Sequence, residues 1–340
     1  MRPRLKDELV TLAHGAGGKA TRALVEQLFL EELSNPLLDP LGDSALLDLN
    51  GSRLAFTTDS YVVKPIVFPG GDIGELAVNG TVNDLAVAGA RPVALSAGFV
   101  IEEGFEVARL RELAASMARA AERAGVPVAT GDTKVVERGK ADGLYVNTAG
   151  IGVVPPGVEL GAGRVEVGDR VLVSGTLGDH GMAVMIARGE LQLEVELESD
   201  TAPVHELAAS LLELGGAVRW LRDPTRGGLA TALNELAQEA GLAVALDEAS
   251  LPLRPEVVGA CEILGIDPLY VANEGKLVAV VAPEAADDAL ARLRAHQLGA
   301  EAALIGEIRP EPEGLVVLDT AFGGGRIVDM LVGDPLPRIC

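Results

Sequence analysis

Five aspartates of this 340-residue chain stand beside glycine turns or near the ends of short apolar segments, where carboxylates from distant parts of a fold can meet. They are Asp43, Asp59, Asp84, Asp132 and Asp223. Each of them alone is typical of a turn or a helix cap. Several in one cleft would repel one another and would require a cation. Two or more Mg²⁺ ions with a nucleoside triphosphate would balance this charge, and Lys134 and Arg226 would then face phosphate oxygens.

Two shorter patterns leave alternatives open, and a third feature has one expected role. Residues 14–21 read His-Gly-Ala-Gly-Gly-Lys-Ala-Thr, which departs from the phosphate-loop pattern because Ala20 follows Lys19. This cluster is a glycine-rich helix start, a dinucleotide site or a phosphate contact through backbone N–H groups. The segment 273–276, Asn-Glu-Gly-Lys, is a hairpin-like turn or a functional loop. Cys261 lies in an apolar helical segment and is expected to be a core thiol.

Composition narrows the classes of function. The formal net charge of −22 disfavours nucleic acid and anionic membranes as partners. With only two cysteines, the chain cannot form a disulfide framework. The sequence contains neither a Cys-x-x-Cys motif nor two histidines at i, i+4, so a zinc site is not expected. His180 and His205 are expected to open helices as structural residues. The plentiful carboxylates favour magnesium. We find neither an apolar run of ~18 residues nor a secretory signal, and we expect a cytoplasmic protein without a membrane span.

Strands and helices alternate in both halves of the chain, which predicts two α/β (or α+β) domains over 1–155 and 156–330. Strands are expected at 54–58, 93–101, 127–130, 144–153, 170–174, 243–246, 277–281, 303–308 and 315–318. Helices are expected at 20–33, 107–124, 180–188, 204–214, 229–240 and 255–264. Asp59 and Asp132 would then follow the ends of strands, whereas Asp84 falls in a stretch of small residues that ends at Gly89.

Residues 331–340, hereafter the tail, form a third segment. Pro335 and Pro337 disfavour a helix and stiffen an extended arm, which could reach ~33 Å from the last packed element. A frayed terminus is the general expectation for such a peptide. A cysteine at the very end of a stiff arm, Cys340, is nevertheless unusual, and it does not form a prenylation signal.

The motifs in their order resemble one family. They read His-Gly-Ala-Gly-Gly at 14–18, Thr-Asp-Ser at 58–60, Asn-Asp-Leu-Ala at 83–86, Gly-Asp-Thr-Lys-Val-Val at 131–136, Ser-Gly-Thr-Leu-Gly-Asp-His-Gly at 174–181, Asp-Pro-Thr-Arg-Gly-Gly at 223–228, Asn-Glu-Gly-Lys at 273–276 and Pro-Arg-Ile-Cys at 337–340. The set covers essentially the whole chain and resembles the HypE family, which makes the cyanide ligands of the nickel–iron hydrogenase site. Within the same superfamily, selenophosphate synthetase and thiamine-phosphate kinase share the aspartate layout, but neither accounts for the terminal Pro-Arg-Ile-Cys.

The resemblance implies a two-domain PurM-like (AIR synthase-like) fold, assembled as a homodimer with ATP near the subunit interface. It also implies a reaction: a HypF carbamoyltransferase loads the terminal thiol, ATP drives dehydration of the thiocarbamate to a thiocyanate, and the cyano group passes to iron on a HypC–HypD complex. An alternative of another class is a non-catalytic scaffold that only presents its tail.

The same resemblance implies roles for individual residues of this chain. Cys340 would carry the substrate, Glu274 would be the base, and Lys134 would orient the amide or the phosphate. The implied residues for ATP are Asp43, Asp59, Asp84, Asp132, Thr133, Asn147, Asp223 and Arg226. The five aspartates among them are the candidate ligands of Mg²⁺.

Overall fold

The first half of the chain forms a five-stranded sheet and most of the helices that cover it. The computed structural model describes residues 7–189, 196–333 and 336–340, so residues 1–6 of the predicted first domain and Asp334 and Pro335 of the tail lie outside the described residues. The strands of the sheet are β1 (Ala45–Leu49), β2 (Ser52–Tyr61), β5 (Arg91–Glu102), β6 (Val128–Val136) and β7 (Leu144–Val154). β3 (Val67–Phe68) and β4 (Gly71–Asp72) form a separate two-stranded pair. The helices are α1 (Lys19–Leu24), which continues through a π-helical turn (Val25–Phe29) into α2 (Leu30–Leu33), then α3 (Ile73–Val87) and α4 (Val107–Ala124).

This sheet is covered by helices on one face. Its order is β1-β2-β7-β5-β6, and β5 and β6 are its parallel pair. Helix α3 packs on β2, β7 and β5, and α4 packs on α3. The opposite face exposes large apolar side chains, among them Phe56, Val100 and Ile151. Strand β6 forms one edge, and nearly all of its residues are exposed.

The second half forms a seven-stranded sheet. Its elements are β8 (Arg170–Val173), α5 (Asp179–Ala187), α6 (His205–Leu212), β9 (Val218–Arg222), α7 (Gly228–Ala240), β10 (Ala243–Asp247), α8 (Pro255–Leu264), β11 (Val278–Val281), α9 (Ala286–Ala295), β12 (Ala303–Arg309), β13 (Val316–Asp319) and β14 (Gly325–Val328). The strand order is β14-β13-β10-β12-β8-β11-β9. Apolar side chains of α5 and α8 join the core of the first half, so the two halves share a continuous apolar core. Within the described residues, no helix has both the length and the apolar character needed to cross a membrane.

Helix α3 was not predicted, and it changes the position of Asp84. The helix is buried on nearly all sides, so it lacks the one-sided apolar stripe that indicates a helix in a sequence. Asn79, Gly80 and Asn83 also have low helix propensity. Asp72 begins the helix by accepting hydrogen bonds from the backbone N–H groups of Gly74 and Glu75.

Two strands are longer than predicted, and two aspartates therefore do not lie beyond strand ends. Asp59 lies inside β2, and Asp132 lies in the middle of β6. β6 continues because Thr133, Lys134 and the following valines pair with β5. The helix predicted at 107–124 and the strand at 144–153 are confirmed within one residue. Cys261 is buried as predicted, and burial raises the pKa of its thiol to about 11.

Candidate active site

Most of the predicted site residues surround one cavity of about 280 Å³. It lies where β2 and α3 of the first half meet the segment after β9 and the loop before β11. The predicted residues that line it are Asp43, Asp59, Asp84, Asp223, Arg226, Glu274 and Cys340. Residues separated by as many as 297 positions along the chain are thus brought to one place by the packing of the two halves.

Three carboxylates in this cavity are close enough to share a cation. One oxygen from each of Asp43, Asp84 and Asp223 lies within 4.8 Å of the others. The Thr57 hydroxyl lies 2.7 Å from Asp84 Oδ2, and Arg222 Nη1 lies 3.1 Å from Asp43 Oδ1. Arg222 also binds Glu235 at 2.8 Å, so its charge is divided between two carboxylates.

The charge of one arginine does not balance these three buried carboxyls. Burial, opposed in part by Arg222, raises the pKa of Asp43 to about 6. Burial and the charge of Asp43 raise the pKa of Asp223 to about 8. Burial and the neighbouring aspartates hold the pKa of Asp84 well above its usual range. Such a group keeps a proton or accepts a cation, and an all-oxygen donor set fits the hard ion Mg²⁺.

Asp59 lies beside this carboxylate group and accepts a hydrogen bond from Tyr61. The Tyr61 hydroxyl donates to Asp59 Oδ2 at 3.0 Å. Burial and the charge of Asp59 raise the pKa of Tyr61 well above its usual range, so the phenol remains a donor. Gly80 makes room for this hydroxyl, because a Cβ at that position would lie 2.1 Å from it.

Glu274 lies in a buried loop before β11, so of the two alternatives for 273–276 the chain forms a loop and not a hairpin-like turn. Its backbone N–H donates to Asp200 Oδ1 at 3.0 Å, and the Asn83 amide donates to its carbonyl at 3.1 Å. Lys276 forms an ion pair with Asp200 at 3.0 Å. Glu274 Oε1 is buried and has no hydrogen-bond partner among the described residues. Burial raises the pKa of this carboxyl well above its usual range, as a proton acceptor near neutral pH requires.

The glycine cluster at 14–18 packs against Arg226 and against the start of the tail. Arg226 Nη1 donates to the Gly15 carbonyl at 3.1 Å. The Lys19 N–H donates to the Leu331 carbonyl at 3.0 Å, and a Cβ on Gly18 would lie 2.3 Å from that oxygen. The cluster is therefore a glycine-rich helix start whose glycines allow close backbone approach.

Cys340 lines the cavity, so the described end of the tail is not frayed. The backbone N–H of Val62 donates to the Cys340 carbonyl, and that of Lys64 donates to the Arg338 carbonyl, both at 3.1 Å. Ile339 is buried in the core of the first half. The pKa of Arg226 is raised by nearby negative charge, most strongly that of Cys340 and to a smaller extent that of Asp59 and Glu274. This backbone pairing brings the terminal cysteine to the same cavity as Glu274.

Four predicted residues lie outside the cavity: Asp132, Thr133, Lys134 and Asn147. Asp132 and Asn147 each pair with Gly98 in the sheet register, so they share a row on its open face. Lys134 Nζ lies 2.5 Å from Asp132 Oδ2, and this hydrogen bond lowers the pKa of Asp132. Asn147 reaches the cavity indirectly, because its amide donates to the Asp59 carbonyl at 2.7 Å.

Several residues of the site carried no signal in the sequence. Arg222, Glu235 and Asp200 have no motif that separates them from ordinary surface charges. His180 opens α5 as predicted, but its buried ring also contacts the Ile339 carbonyl of the tail at 3.0 Å. Burial and nearness to the site distinguish these residues, and both depend on the fold.

Comparison with known proteins identifies the family. The N-terminal domain of AIR synthase related proteins matches residues 41–154, and their C-terminal domain matches residues 166–319. A "Carbamoyl dehydratase HypE" of Rhodobacter capsulatus is 57% identical over 339 residues, 99% of each chain.

Two crystal structures are similar over most of their length. One, of a HypE–HypF complex, has a TM-score of 0.87 and 47% identity over 91% of this chain and 100% of that chain. Another, of HypE in complex with ATP, has a TM-score of 0.82 and 46% identity over 98% of this chain and 100% of that chain. The predicted PurM-like fold is thereby confirmed. With this identity over nearly its whole length, the chain belongs to the HypE family of carbamoyl dehydratases.

Proposed function

We propose that this protein uses ATP to dehydrate a carbamoyl group on its own Cys340 to a thiocyanate, and so supplies the cyanide ligands of a nickel–iron hydrogenase. One observation carries the proposal: the terminal cysteine lies in the same cavity as three converging carboxylates and a buried glutamate whose Oε1 has no hydrogen-bond partner among the described residues. Neither a small-molecule kinase nor a scaffold requires its own terminus at such a place.

The chemistry explains why these groups are needed. Removing water from the thiocarbamate requires its oxygen to leave, and oxide is a poor leaving group. Transfer of the γ-phosphoryl group of ATP to that oxygen releases ADP and makes phosphate the leaving group. Glu274 accepts an amide proton as the carbonyl oxygen is phosphorylated. Phosphate then departs as HPO₄²⁻, taking the second amide proton with it, and the carbon–nitrogen triple bond is complete.

The carboxylates have a role in binding the nucleotide. Asp43, Asp84 and Asp223 fit Mg²⁺ as ligands, and Asp59 and Asp132 are further candidates. When bound, Mg²⁺ would neutralise charge on the transferring phosphoryl group. Arg226, with its pKa raised by the surrounding negative charge, stays cationic and faces the same cavity. The ATP complex of a HypE relative supports the nucleotide.

A homodimer would give roles to the residues outside the cavity. No helix of the described residues covers one face of the first sheet, and this face exposes apolar side chains. Asp132, Thr133, Lys134 and Asn147 lie on or beside it. We propose that a second subunit covers this face and that Asp132, Thr133 and Lys134 complete the ATP site of the partner.

We also propose that the protein works with two partners, a HypF carbamoyltransferase and a HypC–HypD acceptor complex, and that it is located in the cytoplasm. The HypE–HypF complex of a relative supports the first of these partners.

The decisive experiment is intact-protein mass spectrometry after incubation with a HypF carbamoyltransferase, carbamoyl phosphate and ATP–Mg²⁺. We expect a carbamoyl adduct on Cys340 that loses the mass of one water as ATP is hydrolysed. Glu274→Gln should keep the adduct and fail to dehydrate it. Dehydration at the wild-type rate in Glu274→Gln would exclude Glu274 as the base. A wild-type adduct that never loses water would favour the scaffold alternative, and an unmodified Cys340 beside an active partner would contradict the proposal.

The dimer has a separate test. Lys134→Ala and Glu274→Gln should each be inactive alone. If each site draws Lys134 from one subunit and Glu274 from the other, remixed dimers should regain about a quarter of the wild-type activity, because about half of them are hybrids with one intact site. No recovery in verified hybrid dimers would show that both residues act within one subunit.

A further inference from the structure

The end of the inserted tail is held by three side chains outside the chemical site. They are Asp142 of the turn before β7, His180 of α5 and Arg188, which follows α5; together we call them the tail clamp. Each contacts the tail within the segment 337–339, directly before Cys340.

Arg188 is the central member of the tail clamp. Its Nη2 donates to the carbonyl oxygens of Pro337 and Arg338, the latter at 2.8 Å. Its Nε donates to the Lys64 carbonyl at 2.8 Å. One guanidinium thus bridges the tail and the segment after β2 through backbone carbonyls. This arrangement forms only when the tail lies alongside residues 62–64.

Asp142 adds an ion pair to the basic side chain of the tail. Arg338 Nη1 binds Asp142 Oδ2, and Arg338 Nε donates to the Val62 carbonyl at 3.0 Å. Lys64 Nζ binds the same Asp142 oxygen at 3.1 Å. These two cations hold the pKa of Asp142 below its usual range, so it remains ionised.

His180 contacts the tail from inside the core. Its Nε2 lies 3.0 Å from the Ile339 carbonyl, and its Nδ1 lies 2.7 Å from the Ser199 hydroxyl. The ring is fully buried and lies perpendicular to the ring of Phe68 at a centroid distance of 5.4 Å. A carbonyl oxygen can only accept, so the Nε2-protonated tautomer is assigned to this ring.

We propose that Arg188, supported by Asp142 and His180, is a positioning residue that selects the inserted state of the tail. The inference rests on the proposed function, because carbamoylation and dehydration place opposite requirements on the position of Cys340. Dehydration needs Cys340 inside the cavity, whereas carbamoylation needs the same thiol to reach a second protein. The tail clamp therefore favours dehydration and makes the Cys340 thiol less accessible for carbamoylation. It acts by fixing the backbone position of Cys340.

The first test measures the position of the tail without any enzymatic activity. Iodoacetamide labelling of Cys340 in the full-length protein is followed by peptide mass, with buried Cys261 as internal reference. In the Arg188→Gln variant, iodoacetamide should label Cys340 about tenfold faster. This is the change in the equilibrium between inserted and exposed tail when ~1.4 kcal/mol of hydrogen bonding is lost from the inserted state. Arg188→Lys, which keeps the charge, should fall between, and Arg111→Gln on the exposed side of α4 is the matched control. Equal labelling rates in a folded Arg188→Gln would overturn the inference.

The second test separates the inference from the proposed function. Starting from carbamoylated protein, Arg188→Gln should dehydrate Cys340 more slowly in a single turnover, by at most about tenfold, because the rate follows the fraction of tails that stay inserted. The KM for ATP should be unchanged and loading by HypF unreduced. A loss explained by weaker ATP binding, or dehydration and labelling rates that both stay unchanged, would contradict a positioning role. Failure of the wild-type protein to dehydrate would instead contradict the proposed function and leave the labelling result standing.

Discussion

Replacing Asp223 by asparagine should stabilise the metal-free protein and remove its response to Mg²⁺. Asp223 is buried, and one of its oxygens lies within 4.8 Å of oxygens of Asp43 and Asp84. The amide of asparagine has nearly the same shape and carries no charge. The substitution therefore removes like-charge repulsion and the burial of a carboxylate without opening a cavity.

The size of the effect follows from the pKa of Asp223, which rises from 3.8 to about 8 in the folded protein. Between these values the folded state holds a proton that the unfolded state has released, so the free energy of unfolding falls as the pH rises. Each pKa unit corresponds to about 1.4 kcal/mol, which gives up to about 6 kcal/mol at pH 8. Asp43 and Asp84 share this cost, so we expect the single substitution to recover about 2–4 kcal/mol at pH 8. The gain should shrink toward zero near pH 4.

Urea unfolding of the metal-free protein from pH 4 to pH 8 measures this difference, with Asp48→Asn on the exposed part of β1 as control. Added Mg²⁺ should stabilise the wild-type protein through mass action and have little effect on Asp223→Asn. A variant that is no more stable than the wild type at pH 8 without metal would refute the electrostatic reasoning. An equal Mg²⁺ response in both proteins would refute the assignment of Asp223 as a ligand.

Two further substitutions test the loop that holds Glu274. Lys276→Met should lower the free energy of unfolding by about 3–5 kcal/mol, because it leaves Asp200 buried without its ion-pair partner; a urea-unfolding change below about 1 kcal/mol would contradict this account. Gly275→Ala should slow dehydration at least about tenfold while nucleotide binding is kept, because its Cβ would lie 1.8 Å from the Asp200 carbonyl and must displace the loop. Gly259→Ala in α8, where a Cβ meets no atom within 4 Å, is the control, and full turnover in Gly275→Ala would show that the position of the loop is unimportant.

Local sequence patterns predicted the elements that carry a clear apolar period or a clear boundary. Helix α4 is an example: it has one apolar face and ends at Gly125, which adopts a left-handed conformation. Helix α3 could not be predicted in this way, because it is buried on nearly every side and contains residues that disfavour isolated helices. The length of β6 also depended on a partner, since pairing with β5 extends it past Asp132. The proposed boundaries at residues 155 and 330 stay predictions.

The sequence by itself determined the family, the fold class and seven of the residues that line the cavity, because the order and identity of the polar motifs indicate the chemistry that they serve. The tertiary structure decided which of those residues meet. It gathered Asp43, Asp84 and Asp223 and separated Lys134 from them. It also inserted the tail through contacts between residues more than a hundred positions apart, such as Arg188 with the Arg338 carbonyl. Burial and proximity of this kind arise from the packing of the two halves, and no local pattern in the chain encodes them.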